Sequence, residues 1–188
     1  MNAKRLVLGL TVLLCVWSVL WGAKWQPFNF KGNERYEYKI VWKEGGTERN
    51  AVYVMDVKRR EDGKFDVTYT TKGMLTGDEL AEGAFGLWGV YGVSLSVLVL
   101  NPPYSFFFSQ MELKPGEKMN FLGAGIVEVT GKEKIGGREG YVCRLSASEG
   151  DLLAEWVIDP DLALPIRSIT YEDGGPQGVF ELVKYSKY

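Results

Sequence analysis

The strongest constraint on this chain is a two-residue rhythm of apolar and polar side chains along most of its length. Successive side chains of a strand point to opposite faces, so such a rhythm marks half-buried strands. In Tyr36, Glu37, Tyr38, Lys39, Ile40, Val41, Trp42, Lys43 the aromatic residues and Ile40 share one parity while the charges fall mostly on the other. Gly45 and Gly46 make a turn, and a second run over 48–58 places Ala51, Tyr53, Met55 and Val57 on one parity. After Glu61, Asp62 and Gly63 a third run opposes Phe65, Val67 and Tyr69 to Lys64, Asp66 and Thr68. Three such runs joined by turns rich in Gly and Asp predict an antiparallel meander.

The C-terminal half repeats the pattern over 118–121, 126–135, 138–146, 152–158, 166–171 and 178–185, with Gly136 and Gly137 forming a hairpin turn. Pro160 and Pro165 bracket a short excursion. At 188 residues the chain suits one domain with a substantial core. About eight or nine antiparallel strands in one domain imply a mainly β protein with a strongly curved sheet, a barrel or a sandwich.

Between the halves, 83–111 carries no charge over 29 residues. Pro102 and Pro103 end any helix before them, and Gly83, Gly86, Gly89 and Gly92 recur every third residue. Each glycine weakens a helix by roughly 1 kcal/mol relative to alanine. The stretch fits a core-packed helix over 84–100 that plugs or lids the sheet, a buried strand over 93–100, or a second membrane segment. Tyr104, Phe106, Phe107 and Phe108 follow as an aromatic cluster, suited to a core or to a pocket rim.

At the N-terminus, Lys4 and Arg5 precede an apolar run over 6–21, as in a secretory signal or a membrane anchor. Ala23 is an acceptable residue before a cleavage site, but Trp21 stands where a small side chain is wanted. Retention as an anchor is therefore favoured, with everything from Lys24 onward outside the cytoplasm. Cys15 reads as one more apolar residue of that segment, because the residues before it are too large for lipoprotein processing. This gives a signal or anchor over 1–23, a linker over 24–35 containing Pro27 and Gly32, and one extracytoplasmic domain over 36–188.

Composition removes several functions. The 22 basic and 24 acidic residues give a net charge of −2, without the basic face that a nucleic-acid partner requires. The chain has no histidine, which excludes Ser/His and Cys/His nucleophile pairs and nearly every common zinc site. Cys15 and Cys143 are not placed to form a disulfide. An enzyme here would rely on carboxylates such as Glu155, Asp159 and Asp161, for which solvated charge at a strand end is the plainer reading. The expectation is a non-catalytic protein with no cofactor and no metal.

From residue 113 onward the order of features becomes distinctive. Leu113, Lys114, Pro115, Gly116, Glu117 is followed by Gly131, Lys132, Glu133, Lys134, Ile135, Gly136, Gly137, Arg138, Glu139, Gly140, Tyr141. Then come Glu155, Trp156, Val157, Ile158, Asp159, Pro160; Leu164, Pro165, Ile166, Arg167; and Glu181, Leu182, Val183, Lys184, Tyr185. This resembles periplasmic proteins built like the lipoprotein carrier LolA and receptor LolB, and a related exported family. The resemblance implies a half-open antiparallel barrel wrapped around one central helix or apolar segment, with a cavity for acyl chains. It departs from that pattern at 24–35, which contains no amphipathic helix.

The aromatic parity and the neutral central stretch nominate Tyr38, Trp42, Tyr53, Tyr69, Trp88, Tyr91, Phe106 and Trp156 as ligand-binding residues. A solid core would use the same side chains. Expected partners are a lipid or hydrophobic small molecule and the membrane through the N-terminal segment. The alternative is a cell-envelope scaffold that binds a protein.

Overall fold

The computed structural model describes residues 22–44, 46–73, 107–121, 123 and 125–188. The strands in chain order are β1 (Ala23–Lys24), β2 (Glu34–Glu44), β3 (Thr47–Arg59), β4 (Phe65–Gly73), β5 (Glu112–Leu113), β6 (Lys118–Asn120), β7 (Ile126–Ile135), β8 (Arg138–Ser146), β9 (Leu152–Ile158), β10 (Arg167–Glu172) and β11 (Gly175–Lys187). Nine of them form one antiparallel sheet in the order β4-β3-β2-β11-β10-β9-β8-β7-β6, and β1 pairs with β5 separately. Among the described residues the sheet does not close, since β4 and β6 are each paired on one side only.

Hairpin chemistry sets the register. Gly136 and Gly137 both hold positive φ between the paired residues Ile135 and Arg138, and Asp173 and Gly174 do the same between Glu172 and Gly175. Both are tight turns whose backbone twist matches that of the flanking strands. The register then aligns one parity across the sheet: Tyr36 pairs with Met55, Tyr38 with Tyr53 and with Leu182, and Ser168 with both Phe180 and Trp156. The two-residue rhythm of the sequence therefore resolves into a single inner face.

Two clusters cover that face. One joins Tyr36, Tyr38, Ile40, Tyr53, Met55 and Phe180 to Leu162, Ala163, Leu164 and Ile166. The other joins Val127, Val129, Cys143, Leu145, Trp156 and Ile158 to Trp25, Phe108 and Met111. The excursion between β9 and β10 is thus an apolar plug laid against β2. The Tyr38 hydroxyl donates to the Pro165 carbonyl at 2.8 Å, and the Ala163 amide donates to the Tyr36 hydroxyl at 3.2 Å. Bulges in β7 between Val129 and Gly131 and in β11 between Leu182 and Lys184 accompany packing of Ile135 against the first cluster. Bulges sharpen the local twist of a sheet.

The stretch expected as a linker is held by the domain. Ala23 and Lys24 pair with Leu113 and Glu112, Trp25 is 1% exposed, its indole NH donates to the Leu162 carbonyl at 2.7 Å, and the Phe28 amide donates to Ala163. A Cβ on Gly22 would come within 2.8 Å of the Glu112 Cβ, so only glycine fits this approach. The expected N-terminal membrane helix and the central segment over 83–100 lie outside the described residues. Among the described residues, no helix is long and apolar enough to cross a membrane, and 107–110 are helical.

Candidate functional site

Four of the nominated aromatic residues come together in one cluster. Tyr38, Trp42 and Tyr53 are buried on the inner face, and Tyr69 stacks on Tyr53 with ring centroids 6.0 Å apart. Phe180 links them, edge-on to Tyr53 at 6.2 Å and tilted against Tyr38 at 6.1 Å. Trp156 lies in the other cluster, edge-on to Phe108 at 5.2 Å, and Phe108 is edge-on to Trp25 at 5.4 Å. Offset and edge-to-face pairs of this kind add about 0.5–1.5 kcal/mol each beyond the area they bury. Trp88, Tyr91 and Phe106 lie outside the described residues.

The inner face changes character at β4. Val67 pairs with buried Val57 and Tyr69 with buried Met55, so both project from the same face as the core. Yet Val67 is 37% and Tyr69 52% exposed. A strip of apolar side chains, with half-buried Phe65 at one end, therefore continues the aromatic core outward.

The carboxylates considered for acid–base chemistry are engaged in ion pairs. Glu155, 4% exposed, accepts from Arg144 at 2.8 Å and from Arg167 at 2.9 Å, while Arg167 also forks onto Glu133 at 2.7 and 2.6 Å. Buried carboxylates need such partners, and a forked guanidinium supplies two donors at once. Asp159 accepts from Arg138 at 2.5 Å and from the Asp161 amide at 2.9 Å. Cys143 is fully buried; burial, followed by the nearby Glu155 charge, pushes its thiol up to about 12, so it is a protonated core residue. Among the described residues, no group of three or more His, Cys, Asp and Glu is placed to hold a metal ion.

The sequence gives no signal for one feature, because three distant segments build it. A cleft of about 520 Å³ lies between the connector (Lys24, Gln26, Asn29, Lys31), the helical turn (Ser109, Gln110) and the excursion (Pro160, Asp161, Leu162), with Trp25 also in its lining. Its charged groups are Lys24, Lys31 and Asp161, and Lys31 meets Asp161 only at 3.9 Å with both side chains well exposed. The volume is within the usual range for small-molecule sites.

Among the described residues these features define a mainly β protein with one broad open antiparallel sheet, an inner face filled at β2 and apolar but exposed at β4, and a separate polar cleft. No protein-family model matches the chain, and no curated protein matches it. Among solved structures it is similar to a DUF1329 family protein from Desulfovibrio piger ATCC 29098, with 9% identity over 84% of this chain and 86% of that one. The TM-score is 0.24, and a likeness that slight carries no argument about fold or function.

Proposed function

We propose that the protein is a non-catalytic, extracytoplasmic module, tethered by its N-terminal segment, that binds a lipid or other hydrophobic ligand on the inner face of a LolA/LolB-like half-open barrel. The observation that carries this reading is the open strip at Phe65, Val67 and Tyr69, continuous with the buried Tyr53 and Phe180. Apolar surface left in water costs roughly 25 cal/mol per Å², which an acyl chain laid along the strip would recover. The binding residues are then Phe65, Val67 and Tyr69, while Tyr38, Trp42 and Trp156 support them from the core. Native mass spectrometry of the full chain extracted in mild detergent tests the reading. A co-purifying lipid is the expected result, and bare protein under all extraction conditions would sink it.

A second reading, an envelope scaffold that binds a protein, draws on the same strand. Among the described residues β4 is an edge of the large sheet, and an edge offers backbone donors and acceptors to an added strand. Crosslinking in intact cells separates the two readings, because a scaffold requires a stable protein adduct through β4 and a lipid binder does not.

A further inference from the structure

The polar cleft beside Trp25 lies where the chain enters the domain. The apolar run over 6–21 ends one residue before Gly22, and Gly22 already lies against Glu112. No spacer separates the two, since Ala23 and Lys24 are locked into the β1–β5 pair and Lys24 itself lines the cleft. If the apolar run is held in a bilayer, the cleft is held at the bilayer surface.

The lining suits a phosphate-bearing ligand. Lys24 and Lys31 supply two ammonium groups, and Gln26, Asn29 and Gln110 supply amide donors. The opposing charge, Asp161, is 88% exposed and holds Lys31 only loosely, so the lysine remains available for another anion. A chain with a net charge of −2 does not gather phosphates by its overall field, so the attraction must be local. Between the lining residues Gln26 and Asn29 in sequence, Phe28 has a φ of 60°, donates its amide to the Ala163 carbonyl and is 36% exposed. A left-handed backbone costs a non-glycine residue about 1–2 kcal/mol. The Phe28 ring meets Phe30, 6.3 Å between centroids, and Phe30 in turn meets Phe65 of the apolar strip at 5.9 Å.

We propose that this cleft takes the phosphodiester of a membrane phospholipid headgroup, with Lys24 and Lys31 as its cationic partners. The proposal rests on the lipid-binding reading above and extends it from the apolar strip at β4 to the polar end of a lipid.

Acetylation footprinting of the full chain in mild detergent, read lysine by lysine in a mass spectrometer, tests it. The added probe is dioctanoyl phosphatidylglycerol, inorganic phosphate or octanoate. The phospholipid is expected to slow acetylation of Lys24 and Lys31 about fivefold at a concentration about four times its Kd. The exposed Lys58, Lys64 and Lys187 should be unaffected, and neither phosphate nor octanoate at the same concentration should protect. Equal protection by inorganic phosphate would overturn the lipid as the source, and no protection by the phospholipid would overturn the site. In the Lys24→Glu, Lys31→Glu double variant the protein should still take up a fluorescent fatty acid. In the unaltered protein, fatty-acid uptake without headgroup protection would overturn this site and leave the β4 reading standing alone, and protection without uptake would refute that reading while keeping this site.

Discussion

Trp25 shows how much one side chain of the connector contributes. It is buried, edge-on to Phe108, and hydrogen-bonded through its indole to Leu162. Trp25→Ala should destabilise the protein by about 3–5 kcal/mol, read as a lower urea midpoint, because it opens a cavity and removes the donor to a buried carbonyl. Glu155→Ala should cost a similar 3–5 kcal/mol, since it strips the largely buried Arg167 of one of its two carboxylates, whereas Arg144→Ala, at a half-exposed partner, should cost under about 1 kcal/mol. Equal losses for the two would mean that Glu155 is not the buried centre of the network. Residue parity is legible in the sequence, and the register aligns Tyr36, Tyr38, Trp42, Tyr53, Phe65, Tyr69 and Trp156 on one face. The pairing of Glu133 with Arg167, 34 residues apart, was not, because an ion pair leaves no periodic trace.

At the scale of elements, all nine strands of the large sheet were legible, since each is long enough to show its period or is bounded by Gly and Asp turns. The β1–β5 pair was not, because two-residue strands have no period to read. Pro160 and Pro165 mark the excursion after β9 in the sequence, but its role as the plug over β2 depends on contacts 127 residues apart. Tyr38→Phe should lower stability by about 1–3 kcal/mol by leaving the Pro165 carbonyl buried without its donor, with no change in far-ultraviolet circular dichroism. A stability equal to that of the unaltered protein would mean that the excursion does not depend on this bond.

For the whole molecule, burial of tyrosines and a cysteine predicts an alkaline limit to stability. Burial, followed by the Tyr53 charge, holds Tyr38 well above its ordinary value; burial and the bond to Glu34 do the same for Tyr36. Burial and the Glu34 charge push Tyr185 up to about 12, and Cys143 also rises to about 12. The unfolded chain loses these protons from about pH 8.5 for cysteine and pH 10 for tyrosine. Between those values and pH 12 the unfolded state therefore binds fewer protons than the folded one, and stability falls as pH rises. The urea midpoint should be lower at pH 11 than at pH 8, and equal midpoints would contradict the burial of these groups.

The central claim, a lipid-binding strip at the open end of the inner face, is tested most directly by titrating a fluorescent fatty acid into the full chain and into Tyr69→Asp. Tyr69 is half exposed, so the substitution leaves the core intact while placing a charge on the strip. The account predicts saturable binding by the unaltered protein and an affinity at least about tenfold weaker in the variant, the 1.4 kcal/mol expected from losing one aromatic contact and burying a charge in its place. No saturable binding by the unaltered protein, or the same affinity in both, would contradict it.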